Sequence, residues 1–68
     1  MNTDIAAGKW KQMKGEVKRQ WGKLTDDEID QIDGNNEKLL GIVQERYGKS
    51  RDEAEREVRE WRKVNNLS

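Results

Sequence analysis

Apolar residues recur along this chain at helical intervals. Ala6, Trp10, Met13, Val17, Trp21 and Leu24 are separated by steps of four, three, four, four and three residues, which puts them on one face of an α-helix. Leu39, Val43 and Tyr47, flanked by Leu40 and Ile42, make a second stripe. Ala54, Val58 and Trp61 make a third, which Val64 can extend. Proline is absent, and β-branched and aromatic residues nowhere alternate over a useful length, so strands are not expected.

The punctuation between the stripes agrees. Thr25-Asp26-Asp27-Glu28 and Ser50-Arg51-Asp52-Glu53 each fit a capping box. In that motif the hydroxyl accepts from an amide one turn ahead, and the glutamate reaches back to the cap amide. Gly22 and Gly48 stand just before the two boxes and suit the left-handed residue that ends a preceding helix. Four helices are expected, over about 3–21, 26–33, 36–47 and 51–64.

The chain also resembles itself at an offset of 26. Gly8 falls on Gly34, Met13 on Leu39, Gly15 on Gly41, Val17 on Val43, Trp21 on Tyr47, Gly22-Lys23 on Gly48-Lys49, and Ile32 on Val58. Each half reads as long helix, glycine turn, capping box and second helix. Neither half can bury its stripe alone, so the expected architecture is all-α, with four short helices forming two packed αα-hairpins by internal duplication. The hairpins would span about 3–33 and 36–64 of a single domain covering 1–68.

Composition narrows the chemistry. Only 31% of the 68 residues are apolar and 41% are charged, a balance close to that of disordered segments, but the formal net charge is zero and self-repulsion does not open the chain. Without cysteine there is no disulfide or thiolate metal site, and without histidine the commonest general base and transition-metal ligand are gone. The opening residues Met1 to Gly8 have neither a basic nor an apolar export region, and no apolar run nears the roughly 20 residues of a membrane span. A cytoplasmic location is the expectation.

The densest carboxylate cluster runs from Asp26 to Asp33. Setting Gly34 at the glycine position of a calcium loop puts Ile29 and Gln31 where the first ligands belong, so the pattern fails. Asp26, Asp27 and Glu28 instead suit the positive end of a helix dipole. There is no phosphate-binding glycine loop and no Ser/His/Asp set, and the core is too small to enclose a carboxylate pair comfortably. No catalytic residue, cofactor, metal or small-molecule substrate is expected.

Charge is unevenly spread. Residues 1–24 carry six Lys/Arg against Asp4 and Glu16, a net of +4, and residues 25–34 carry five carboxylates and no base, a net of −5. Lys11, Lys14 and Lys18 flank the Trp10–Val17–Trp21 stripe, and lysines beside tryptophans can mark nucleic-acid or membrane contact. In so short a chain those tryptophans supply most of the available core, and the lysines then form a solvated rim whose stems cover apolar surface. Arg46 and Tyr47 could stack a base, although one Tyr at a stripe position usually packs. Lys9, Lys11, Lys14 and Lys18 are the candidate contacts for a nucleic acid or protein partner, within a basic stretch over residues 9–23.

Glycines add a second feature. Gly8, Gly15 and Gly22 are spaced by seven, as are Gly34, Gly41 and Gly48, and each line points away from its apolar stripe. Gly22, Gly34 and Gly48 serve as helix ends, but Gly15 and Gly41 lie inside helices, where each costs about 0.8–1 kcal/mol relative to Ala. Close backbone approach by another helix is the expected reason. The competing reasons are a deliberate weakening of the helix and a bare face kept for a partner.

Several strings carry a family resemblance: Gly8-Lys9-Trp10-Lys11-Gln12, Lys14-Gly15, Trp21-Gly22-Lys23-Leu24-Thr25-Asp26-Asp27, Gln44-Glu45-Arg46-Tyr47-Gly48, Asp52-Glu53-Ala54-Glu55, Glu57-Val58 and Trp61. Over about residues 2–61 the chain resembles the CsbD-like family of small bacterial general-stress proteins. Where members often carry a base after Gly34, this chain has Asn35-Asn36. The resemblance implies a compact bundle of two α-hairpins, expression under stress and no active site. High polarity, abundant glycine and the lack of cysteine also resemble hydrophilins, which shield other macromolecules during water loss. The expected role is therefore protective or binding without catalysis. The alternative is an interaction module that docks nucleic acid or a partner protein through the basic first helix.

Overall fold

The computed structural model describes residues 4–67. Among them it has four helices and no strand: α1 (Ala7–Gln20), α2 (Asp26–Ile32), α3 (Asn36–Tyr47) and α4 (Arg51–Val64). α1 packs on α2, α2 on α3 and α3 on α4. The apolar stripes converge on one core that includes Trp10, Val17, Trp21, Leu39, Val43 and Trp61, with Met13, Ile42, Tyr47 and Leu67 half-buried against it. The Trp21 and Trp61 rings meet at 5.4 Å between centroids, tilted by 58°, and so join the end of α1 to α4. Tilted aromatic pairs of this kind contribute about 0.5–1.5 kcal/mol beyond the area they bury.

Both capping boxes form. Thr25 Oγ1 accepts from the Glu28 amide at 3.1 Å while Glu28 Oε1 accepts from the Thr25 amide at 2.9 Å. Ser50 and Glu53 exchange the same pair at 3.2 and 3.0 Å. Gly48 ends α3 in the left-handed region at φ 61°, and the Lys49 amide reaches back to Gln44 O at 3.1 Å.

The first helix departs from expectation at both ends. Residue 3, where it was expected to begin, lies outside the described residues, but Asp4–Ala6 are not helical and α1 starts at Ala7. The reason is a crossing: the Ile5 amide donates to Gly34 O at 2.8 Å, which draws Ile5 into the core and leaves Ala6 exposed. At the other end the helix stops at Gln20. Trp21 leaves it at φ −125°, and Gly22 is not left-handed, because a turn from the Leu24 amide to Trp21 O (3.1 Å) carries the chain onward. The left-handed residue ending α2 is Asp33 at φ 45°, with Gly34 at φ 82° behind it. Aspartate tolerates that region better than most side chains.

Two further expectations are corrected. Val64 does not extend the third stripe: it is 80% exposed. Two successive steps of three place it about 120° round the helix from Val58, and Leu67 folds back to pack on the core in its place. Close approach of another helix does not explain Gly15 and Gly41. A Cβ built on either meets nothing within 4 Å, and both face open space.

Candidate functional site

The four candidate lysines on α1 divide into two pairs. Lys14 Nζ donates to Asp30 Oδ1 on α2 at 2.7 Å, which ties α1 to α2. Lys18 Nζ donates to the Leu24 carbonyl at 2.5 Å, which ties α1 to the turn between those helices. Lys9 and Lys11 are exposed and make no hydrogen bond or ion pair among the described residues. The acidic block thus consumes part of the basic one, because α2 folds against α1 and brings Asp30 beside Lys14. Gly15 lies on the exposed side of the same helix, and Gly41 lies beside Ile42 and Lys38 in a shallow cleft shared with α2.

Arg46 and Tyr47 are likewise engaged within the molecule. The Arg46 guanidinium pairs with Glu28 across α2 and α3. Tyr47 Oη accepts from the Lys23 amide at 3.1 Å, and Lys23 Nζ sits 5.0 Å from the centre of its ring. An incoming base would have to displace both contacts.

Other ion pairs lace the helices together. Arg51 binds Glu37 at 2.9 Å and Glu55 at 2.8 Å, and Lys49 pairs with Glu57. Glu57 also accepts from Trp21 Nε1 at 3.1 Å, so one carboxylate links the α3–α4 turn to the tryptophan that closes α1. The resulting electrostatics are uniform in direction. The Arg46 guanidinium holds Glu28 below the usual carboxylate range, the Ser50 amide does so for Glu53, and Lys49 does so for Glu57. A general acid needs the opposite shift to stay protonated near neutrality. Among the described residues no group of three or more His, Cys, Asp or Glu is arranged to hold a metal ion, and no helix is long and apolar enough to cross a membrane.

Two polar contacts escaped sequence reasoning. Asn35 caps α3 by accepting from the Lys38 amide at 3.0 Å, and Asp4 Oδ1 accepts from the Asn36 amide at 3.0 Å. An asparagine directly after a turn glycine is a recognised cap signal, whereas nothing local announces the reach from Asp4. The Asn35-Asn36 pair is thus used to start α3.

A cleft of about 380 Å³ opens between the last turn of α1 and α4, lined by Trp61 and the exposed Val64 together with Glu16, Arg19, Arg56, Glu57 and Glu60. It is open to solvent and lined by charges of both signs.

Known proteins support the resemblance carried by the motifs. The sequence matches the family described as CsbD-like over residues 4–56. It is 59% identical to a UPF0337 protein of Bordetella pertussis over 61 residues, covering 90% of this chain and 92% of the relative. It is 54% identical to the UPF0337 protein YjbJ of Salmonella typhimurium over 97% of this chain and 94% of the relative, and 57% identical to YjbJ of Escherichia coli K12 over 90% and 88%. The all-helical fold, the motifs and these matches agree: the chain belongs to the CsbD-like family of bacterial stress-response proteins.

Proposed function

We propose that this protein is a cytoplasmic, non-catalytic protective protein that shields other macromolecules through a folded, heavily hydrated surface. The observation that carries this reading is the fate of the basic helix. Asp30 neutralises Lys14 and the Leu24 carbonyl holds Lys18, so the basic helix is partly engaged within the molecule and carries an acidic side chain beside its lysines. Such a surface repels nothing strongly and selects no partner by sign, as nonspecific shielding requires. The downward-shifted carboxylates and the open clefts support the absence of catalysis.

The test is protection of a labile enzyme through drying and rewetting, against an equal mass of an unrelated globular protein. Retained activity should exceed the control, change little between low and high salt, and be equal for Lys9→Glu/Lys11→Glu. Loss of protection in that variant would overturn the reading.

The second reading, docking of a nucleic acid or protein partner, keeps one specific support in the exposed and unpaired Lys9 and Lys11. For DNA it makes a quantitative demand. Two phosphate contacts correspond to a slope of about −2 in log K against log salt. A slope of about this size that is abolished by Lys9→Glu/Lys11→Glu would favour docking over shielding.

A further inference from the structure

The cleft between α1 and α4 has a composition that neither reading uses. Val64 is the one large apolar side chain among the described residues that stands exposed, and it lies in this cleft beside Trp61. Around them stand two cations, Arg19 and Arg56, and three anions, Glu16, Glu57 and Glu60, of which Glu57 is already engaged by Lys49 and Trp21 Nε1. Within the monomer the other four charges are little used. Arg19 and Glu16 meet loosely at 3.6 Å, and Arg56 and Glu60 form no ion pair among the described residues.

We propose that this cleft is a self-association surface, on which a second copy of the chain docks about a two-fold axis. An apolar centre ringed by charge is the ordinary anatomy of a protein interface. The rim decides the occupant. A polyanion such as nucleic acid, or an anionic membrane, meets Glu16 and Glu60; a basic peptide meets Arg19 and Arg56. A rim whose unengaged charges number two of each sign is complementary to a surface of the same kind. A two-fold axis supplies one without any new feature, because each patch then faces its own copy and every Arg can lie opposite a Glu. Zero net charge removes the long-range repulsion that keeps many small proteins apart. The exposed Val64 of each copy fills the cleft of the other and leaves water.

The size of the patch sets the strength. Stable interfaces bury about 800 Å² on each partner, and a cleft on the last turns of two short helices offers less. The dimer is therefore weak, with a dissociation constant on the order of 0.1–1 mM, and forms where the protein is abundant or where water loss concentrates it.

The test is sedimentation equilibrium combined with amide and methyl NMR from about 0.05 to 2 mM, with the fold checked by circular dichroism. The expected result is a concentration-dependent rise in mass. The accompanying shifts should centre on the Val64 methyls and on the Trp61 ring beside them in the cleft. Val64→Asp should abolish the rise. Val64→Met, which lengthens the apolar contact, should retain or strengthen it. Glu60→Arg should weaken it at low salt and recover as salt screens the added charge. All three changes lie on the surface and leave the core intact. A protein that stays monomeric throughout overturns the proposal. So does self-association whose shifts centre on Lys9, Lys11, Asp26 and Asp27, which would be head-to-tail contact between the charged blocks. Binding of an apolar dye in the cleft by a protein that stays monomeric overturns it as well.

Discussion

The turn between α2 and α3 and the outer faces of α1 and α3 all carry glycine, in contrasting surroundings. At the turn, Gly34 is buried, left-handed at φ 82°, and crossed by the segment from Asp4 to Ala6. A Cβ there would lie 2.1 Å from Ile5 O and 3.6 Å from Trp10 Cβ. On the helix faces, Gly15 and Gly41 have ordinary helical backbone and nothing within 4 Å of a Cβ. Gly8, which the offset of 26 pairs with Gly34, is open as well. Position in a repeated pattern therefore does not tell what a glycine does; what passes over it does.

The sharpest way to break this contrast is at the turn. Gly34→Ala must move the Ile5 backbone and hold a non-glycine residue left-handed. Overpacking costs about 1–3 kcal/mol, and backbone strain of this kind adds a cost of about the same size. Urea denaturation should show the loss, and hydrogen exchange should show faster exchange at the Ile5 amide. A variant as stable as the parent would mean that the crossing is not held at Gly34.

Acid acts on other ties, those at the helix starts and between helices. Glu28, Glu53 and Glu57 are held below 4.5 in the folded chain by Arg46, by the Ser50 amide and by Lys49 respectively. A carboxylate whose folded value is depressed contributes stability that is fully present above its unfolded value and lost as pH falls through the folded one. Melting temperature should therefore change little from pH 8 to 5, where no histidine titrates, and fall below about pH 4.5. Glu57→Gln should flatten part of that fall. A transition between pH 5 and 8 would point to a group outside this set.

How much of this was legible depends on distance along the chain. The capping boxes lie within four consecutive residues, and the stripes within one helix each, so residue types at short spacing announce them. Val17, Trp21 and Trp61 could be placed in the core for the same reason. The strap at Ile5, the pairing of Lys14 with Asp30 16 residues on, and that of Arg46 with Glu28 18 residues back depend on how the helices meet, which no local pattern encodes. Among the candidate contacts, Lys9, Lys11, Lys14 and Lys18 were equivalent by spacing, and only the packing of α2 on α1 divided them. Val64 leaves the core because two successive steps of three carry it about 120° round the helix from Val58, a drift that the spacing between neighbours in the stripe does not reveal.

The capping boxes offer a smaller perturbation that tests whether the two helix starts are equally tied. Thr25→Ala and Ser50→Ala each remove one side-chain acceptor, a change that typically costs about 0.5–2 kcal/mol. Each should lower the melting temperature of so small a domain by several degrees. Thr25 should cost the more of the two. Its partner Glu28 also binds Arg46 from α3, so loosening the box loosens a contact between helices, whereas Glu53 forms no such ion pair among the described residues. Equal losses would show that the Arg46 contact survives without the box.

The smallest expected effect is also the one with the opposite sign. In Gly15→Ala and Gly41→Ala the new methyl meets only solvent, and the backbone is already helical, so the folded state bears no strain. The unfolded chain loses freedom, and each change should stabilise the fold by about 0.4–1 kcal/mol. Gly34→Ala, the same substitution at the crossing, should destabilise it, so the three variants measured side by side in urea convert the structural contrast into a difference of sign. If Gly15→Ala or Gly41→Ala were destabilising, another segment would have to cover that face in solution, and the open surface would be wrong. If both stabilise, the chain carries about 1–2 kcal/mol of forgone helix stability on faces that touch nothing. Shielding assays on the stabilised double variant then decide what that forgone stability serves. Unchanged protection assigns the glycines no part in function, and reduced protection means that shielding depends on helices that open readily or on the bare faces themselves.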